Sequence, residues 1–282
     1  MPQEKPYRFM FIAPFRLTTT RIDLPKEQRM QNFNDYKHLL YDVEWDHHPG
    51  ALTTFGDWEV ENRSEQLAAA AERLKIVREV CETGKWNAVL LVGGTDPGYF
   101  EAQEIAKQYH VAVTTTANSQ MQIACMLGLK FTVIHFAESS LDKYYNLILQ
   151  YQMVDRCASI RMLVGYDHPN PGDPPHTTLA EEREKALRGQ PSKAVDQTVN
   201  EAVAAIEEDG AEVIIFGCSG TYWMQPFVQK RLNEMGWDIP VLEGNSSMIV
   251  KAKLLVSLGR DASGLMFPPH RPKYSRRKKL VS

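Results

Sequence analysis

Cys218 is the residue of this 282-residue chain whose type and position most favour chemistry. It directly follows the run VIIFG (213–217), which is typical of a buried strand, and it precedes the small residues Ser219 and Gly220. A thiol between a strand end and a helix N-terminus gains a lowered pKa from backbone N–H groups and the helix dipole. We therefore predict that Cys218 acts as an acid or base. The alternative is a buried cysteine that packs as a small apolar residue.

The segment GGTDPG (93–98) is a second candidate, and its composition indicates a turn rather than a phosphate loop. It lacks both the GxGxxG fingerprint and the Lys-Ser/Thr pair of nucleotide-binding loops. Gly93 and Gly94 permit a close backbone approach to a ligand, and Thr95 would direct its hydroxyl group at that ligand. Asp96 is either the acidic cap of the following helix or an acid/base group.

Polar residues follow another predicted strand at Thr116, Asn118 and Ser119. They could cradle a carboxylate or an amide, or they could simply cap the next helix. His135, at the end of a further predicted strand, is either a base that opposes Cys218 or a histidine satisfied within the core. No group of His, Cys, Asp and Glu residues has the spacing of a metal site, so no metal is expected.

Short apolar runs alternate with helical patterns along the chain, which is typical of parallel sheets. The pattern occurs twice, because RFMFIAP (8–14) resembles KFTVIHF (130–136), and AVLLVGG (88–94) resembles VIIFGC (213–218) at a similar separation. We therefore predict an α/β fold of two pseudo-symmetric, open parallel-sheet halves of the flavodoxin-like type. Ligands bind at the carboxyl ends of such strands, so the active site should lie in the cleft between the halves.

The predicted boundaries place residues 1–117 with about 245–282 in the first half, and residues 118–244 in the second. Helical periods predict helices at 64–84, 99–110, 193–210 and about 246–258. In this duplication Gly93 takes the position of Cys218. The two residues should therefore face each other across one ligand.

With these segments in place, the chain resembles the aspartate/glutamate and hydantoin racemase superfamily, and the hydantoin racemases most closely. GGTDPG is similar to the Cys-Phe-Gly-Asp-Pro-Gly motif of that branch, and LGLKFTVI (127–134) and GCSG (217–220) are similar to later motifs. The resemblance implies a cofactor-independent enzyme with a thiol at the equivalent strand end of each half. Here Gly93 replaces the first cysteine, as in the arylmalonate decarboxylases, which keep the second.

The first loop of the family resembles Asn-Pro-Asn-Thr-Ser, and here it reads APFRLTTT (13–20). Pro14 is kept, and either Arg16 or Thr18 would recognise the carboxylate in place of the family residues. The resemblance implies an enzyme acting at the carbon next to a carboxylate or amide carbonyl group of a small carboxylate or cyclic amide. Cys218 would be the acid/base, and backbone and hydroxyl donors would stabilise an enediolate. The alternatives are a decarboxylase or lyase/isomerase of the one-cysteine branch, or a non-catalytic small-molecule binding protein.

The composition indicates an ordinary globular protein, with 43% hydrophobic and 24% charged residues. A net charge of −3 gives no reason to expect a nucleic-acid partner. No apolar run reaches the roughly 20 residues of a membrane span, so no membrane partner is expected. The four cysteines are scattered without a CxxC motif, which favours free thiols and a cytoplasmic location. A homo-oligomer is compatible with these observations.

Overall fold

The computed structural model describes residues 5–53, 59–137, 140–166 and 178–268. It contains two four-stranded sheets in which all neighbouring strands are parallel. The first sheet has the order β2-β1-β3-β4 and the second the order β6-β5-β7-β8. The strands are β1 (Tyr7–Ile12), β2 (Val43–His48), β3 (Ala88–Leu91), β4 (Ala112–Thr115), β5 (Phe131–His135), β6 (Cys157–Met162), β7 (Val213–Phe216) and β8 (Val241–Leu242). The same strand order in both sheets confirms the predicted duplication.

Helices connect the strands, as parallel pairing requires. They are α1 (Lys26–Arg29), α2 (Phe33–Tyr36), α3 (Arg63–Glu82), α4 (Tyr99–Lys107), α5 (Thr116–Leu127), α6 (Leu141–Gln150), α7 (Leu179–Leu187), α8 (Lys193–Asp209), α9 (Gln225–Glu234) and α10 (Gly244–Ser257), with 3-10 helices at Lys37–Leu40 and Ser219–Met224. The four predicted helices are therefore present, each within a few residues of its predicted bounds. No helix in the described part of the chain has the length and apolarity needed to cross a membrane.

Each sheet is buried on both faces, which explains why the central strands are apolar throughout. In β3, Val89 and Leu91 pack with α3 and α4, whereas Ala88 and Leu90 point to the opposite face and pack with α10. Leu90 and Leu91 are completely buried. Burial of each such side chain contributes about 1.5–3 kcal/mol to folding.

Two helices each follow a strand of one sheet but pack against the other sheet. α5 follows β4 of the first sheet, but Ala117 and Met121 pack in the cluster of the second sheet. α10 follows β8 of the second sheet, but Met248 and Ile249 pack against the first. The exchange ties the carboxyl ends of the two sheets together. The domain boundaries stay a prediction, and the ends 1–4 and 269–282 lie outside the described residues.

Candidate active site

A cavity of about 700 Å³ lies where the carboxyl ends of the two sheets meet. We call it the central cavity. The first half contributes the loops after β1 and β3, and the second half contributes the loop after β7 together with residues of α6 and α7. The predicted site residues that line it are Pro14, Arg16, Gly93, Gly94, Thr95, His135, Cys218, Ser219 and Gly220. Two separate halves thus form one site.

Cys218 lies directly after β7, where the backbone is held by side chains from neighbouring helices. The Gln120 amide group of α5 brackets Phe216, donating to its carbonyl oxygen at 2.9 Å and accepting from its N–H group at 3.0 Å. The Tyr144 hydroxyl group donates to the carbonyl oxygen of Gly217. Thr221 donates to the carbonyl oxygen of Cys218 through its N–H group at 2.9 Å and its hydroxyl group at 2.6 Å. The thiol therefore has a fixed position in the cavity wall.

The pKa of the Cys218 thiol is raised to about 11, chiefly by burial, and the charge of Glu59 acts in the same direction. The N–H group of Gly220, the Ser219 side chain and the charge of Lys143 act in the opposite direction but are outweighed. The predicted lowering of this pKa is therefore wrong. The helix-end donors are present, but removal of the thiol from water opposes ionisation more strongly. At neutral pH Cys218 is a protonated thiol and hence a proton donor.

This pKa predicts how Cys218 responds to iodoacetamide in the absence of ligand. Because the thiolate is the reactive form, the alkylation rate of Cys218 should keep rising tenfold per pH unit up to about pH 10. Peptide mapping by mass spectrometry separates Cys218 from the other three cysteines. A rate that levels off near pH 8 would show an activated thiolate instead and contradict the burial argument.

The two glycines after β3 bring the first half close to Cys218. Gly93 has φ +118°, a backbone conformation that residues other than glycine rarely adopt. A Cβ atom on Gly94 would lie 2.0 Å from the carbonyl oxygen of Gly217, so the two halves touch through backbone here. The buried Arg73 guanidinium fixes this loop by donating to the carbonyl oxygens of Ile12, at 2.5 Å, and Val92. The two glycines therefore allow the backbones of the two halves to come into contact at their junction.

Asp96 does not line the cavity and does not cap α4, the helix that directly follows it. Gly98 occupies the cap position of α4 and provides no side-chain bond. The buried Asp96 carboxylate instead accepts from the N–H groups of Ala117 (3.1 Å) and Asn118 (2.8 Å) in the first turn of α5. It also accepts from the hydroxyl groups of Thr115 (2.5 Å) and Tyr151 (2.8 Å). The prediction that Asp96 caps the helix that follows it is therefore wrong, because its carboxylate caps the N-terminus of α5 instead.

The polar residues of α5 face the protein interior and not the central cavity. Thr116 donates to the carbonyl oxygen of Gly93 at 2.6 Å, so it supports the cavity wall from behind. The Asn118 side-chain oxygen accepts from Lys251 at 2.5 Å and from Tyr99 at 3.2 Å. The Ser119 hydroxyl group is buried and has no hydrogen-bond partner among the described residues. The structure therefore does not bring Thr116, Asn118 or Ser119 to a ligand in this cavity.

His135 lines the cavity, but one of its nitrogens is already engaged. Its Nδ1 atom accepts from the N–H groups of Phe136 at 2.8 Å and Ala137 at 2.9 Å. Its ring stacks on Phe136, with ring centroids 5.5 Å apart. These bonds place the ring proton of neutral His135 on Nε2. Proton uptake at Nδ1 would break both backbone bonds, so this atom is poorly placed to serve as a base.

One family model, described as Asp/Glu/Hydantoin racemase, matches residues 52–252 of this chain. That range includes Gly93, His135 and Cys218 and is well over half of the sequence. The chain belongs to the Asp/Glu/hydantoin racemase family. The predicted resemblance is confirmed, and the expectation of an enzyme of the racemase superfamily agrees with this membership.

Hydantoin racemases are among the similar proteins in this family. The hydantoin racemase from Pseudomonas sp. (strain NS671) is 28% identical over 179 residues, which are 64% of this chain and 62% of that racemase. The one from Rhizobium meliloti is 26% identical over 177 residues, 63% of each chain. The matches thus span less than two thirds of the length of these relatives.

Solved structures of racemase-superfamily enzymes share the fold. Allantoin racemase from Klebsiella pneumoniae has a TM-score of 0.66 and 21% identity, covering 98% of this chain and 96% of that one. Arylmalonate decarboxylase has a TM-score of 0.52 and 15% identity, covering 88% and 92%. These likenesses confirm the predicted two-half α/β fold.

Several charged residues of this racemase-family chain line the central cavity although no motif indicated them. The cations are Arg16, Arg21, Arg29, Lys143 and Arg183, of which only Arg16 was predicted. Glu59 is the only carboxylate in the cavity wall among the described residues. The excess of positive charge favours an anionic ligand. His47 also lines the cavity, and burial lowers its pKa to about 4, so it is neutral at neutral pH.

Lys143 connects the two halves beside the thiol. Its Nζ atom, on α6 of the second half, donates to the carbonyl oxygen of Glu61 in the first half at 2.6 Å. Burial lowers the pKa of Lys143, while Asp142 and other neighbouring carboxylates oppose that shift. Its charge in turn favours the thiolate of Cys218. Lys143 could therefore stabilise negative charge that develops near Cys218.

Proposed function

We propose that this chain is a cofactor-independent enzyme that transfers a proton at the carbon next to a carboxylate or amide carbonyl group, with Cys218 as the acid. The observation that carries the proposal is the single fixed thiol in the wall of a cavity built by both halves. Membership of the racemase family supports it. The finer choice of reaction depends on which group opposes this thiol.

The chemistry follows from the protonated state of Cys218. Loss of a proton or of CO₂ from the substrate carbon leaves an enediolate, whose electrons return to carbon when the thiol delivers its proton. The N–H group of Gly220 and the ammonium group of Lys143 can stabilise the negative charge that develops on the enediolate. One well-placed donor of this kind contributes about 2.7–4 kcal/mol to transition-state stabilisation. Stabilising the enediolate is the larger task, because the carbon acid is much weaker than the thiol.

The substrate we propose is a small carboxylate or a cyclic amide. The cations of the cavity wall favour a substrate that carries negative charge. Trp223 also lines the cavity and offers an apolar surface for a ring or alkyl group. Arg16 of the first half and Arg183 of the second half both line the cavity, and either one could bind a carboxylate group of the substrate.

Decarboxylation is the second candidate, because Gly93 provides no side chain opposite Cys218. The backbone of this loop has φ +118° at residue 93, a conformation that favours glycine over cysteine. A single thiol is sufficient when CO₂ leaves from one face and a proton arrives from the other. Racemization requires a further group on the opposite face.

A substrate panel in D₂O tests the proposal. We would incubate the enzyme with both enantiomers of 5-benzylhydantoin, allantoin and glutamate, and with phenylmalonate, alongside blanks without enzyme. The expected result is deuterium at the α-carbon, or CO₂ release, above the blank for at least one compound. If no compound gains deuterium or loses CO₂, the proposed function is contradicted.

A further inference from the structure

The first half lacks a thiol opposite Cys218, but it provides a carboxylate. Glu59 lies half-buried in the wall of the central cavity, on the segment that leads into α3. Glu59 and Cys218 thus reach the same cavity from different halves. The charges of Glu59 and Lys143 both affect the ionisation of the Cys218 thiol. The carboxylate is therefore close enough to the thiol to affect its ionisation.

The residues that follow Glu59 contact the second half of the protein. Two residues along the chain, the carbonyl oxygen of Glu61 accepts from Lys143 at 2.6 Å. Arg63 forms an ion pair with Asp142 of α6 at 2.6 Å. The N–H group of Glu61 also donates to the Glu65 carboxylate at 2.9 Å, as part of the N-terminal cap of α3. The second half therefore holds the segment that bears Glu59 against the cavity.

The two groups are chemically complementary. Burial raises the pKa of the Glu59 carboxyl group, and the charge of Glu61 adds to that effect, so the carboxylate is a stronger base than one in water. Cys218 is protonated at neutral pH. Inversion of a carbon requires a base on one face and an acid on the other, and groups from different halves can provide them.

We infer that Glu59 is the second acid/base of the site and exchanges the proton on the substrate face opposite Cys218, so that the enzyme inverts its substrate. This inference rests on the proposed function. The Glu59 carboxylate removes the α-proton from one face, and the C–H electron pair passes into the enediolate. Cys218 then donates its proton to the other face and becomes a thiolate. Proton exchange with water returns Glu59 to the carboxylate and Cys218 to the thiol.

Glu59→Gln tests this role with both enantiomers of the panel compound that the wild type converts in D₂O. Inversion should fall at least about 100-fold, because the amide cannot accept the proton. At about pH 10, where part of Cys218 is the thiolate that can remove a proton, the enantiomer whose α-hydrogen faces Cys218 should still gain deuterium without inversion. Glu59→Asp should recover part of the inversion, because it keeps the carboxylate.

Glu72→Gln is the control, because it removes an exposed carboxylate from α3, the helix that follows the Glu59 segment, but not from the wall of the central cavity. It should invert the substrate at the wild-type rate. Inversion by Glu59→Gln within about threefold of the wild-type rate would overturn the inference and leave the proposed function standing. Equal loss of exchange for both enantiomers would also overturn it, since a supporting role has no facial preference. If the wild type itself exchanges neither enantiomer, the proposed function fails and the inference fails with it.

Discussion

Cys218→Ser is expected to reduce product formation about 10³-fold, which corresponds to about 4 kcal/mol of transition-state stabilisation. The serine hydroxyl group is nearly the same size as the thiol but is a far weaker acid, so it cannot protonate the enediolate at a comparable rate. The backbone bonds of Gln120, Tyr144 and Thr221 around this strand end do not involve the sulfur atom. The fold should therefore be unchanged. Initial rates of product formation measure the loss.

Cys125→Ser is the control for this substitution. Cys125 is also half-buried, but it lies on α5, 3.8 Å from the Met153 sulfur atom and outside the cavity wall. Its replacement should leave the rate within about twofold of the wild type. If Cys218→Ser forms product as fast as Cys125→Ser, the thiol is a packing residue and the proposed role is wrong.

Asp96→Ala should lower the free energy of unfolding by about 3–5 kcal/mol. The substitution leaves two N–H groups and two hydroxyl groups without their acceptor in a buried place. Asp96 also has φ +48°, which aspartate tolerates better than alanine. Asp96→Asn keeps that tolerance and one acceptor oxygen, so its loss should be about half as large. Urea denaturation followed by circular dichroism measures both variants.

Asp238→Ala provides the surface control for these measurements. Asp238 is exposed and should change the free energy of unfolding by no more than about 0.5 kcal/mol. A loss for Asp96→Ala as small as that of Asp238→Ala would contradict the assignment of Asp96 as a buried cap. It would also favour the alternative prediction that Asp96 is an acid/base group.

The sheets could be predicted because their signal is local. Each central strand is a short run of apolar residues bounded by polar segments, and burial on both faces removes any ambiguity of period. The repeated pattern around Val89 and Ile214 gave the duplication. The helices α6 and α7 were not predicted. Tyr144 and Leu147 of α6 have helical spacing, but the comparison of the two halves predicted no equivalent helix in the first half.

The candidate site was only partly predictable. The place of Cys218 follows from a strand end, which is a local property, and this place is as expected. Its pKa depends on burial, which arises from the packing of two halves and cannot be obtained from the neighbouring residues. Glu59 and Lys143 lie in no motif, and only contacts between distant segments bring them to the cavity that Cys218 lines.

Asp96 shows how a local pattern can indicate the right role at the wrong place. An acidic residue before a helix is typical of an N-terminal cap, and α4 begins at Tyr99, three residues after Asp96. In the fold the N-terminus of α5 lies close by, and its N–H groups at Ala117 and Asn118 bind the carboxylate. The same packing turns Asn118 and Ser119 inward. The Asn118 side chain therefore binds Lys251 and Tyr99 and does not reach the cavity.

Deuterium in the product is the most direct measure of the central claim, that Cys218 delivers a proton to the substrate carbon. The wild type and Cys218→Ser would convert the same panel compound in D₂O, and the product would be analysed by mass spectrometry and chiral separation. We predict one deuterium at the α-carbon of the wild-type product and about 10³-fold slower product formation by Cys218→Ser. Wild-type product without deuterium, or product from Cys218→Ser at the wild-type rate, would contradict the claim.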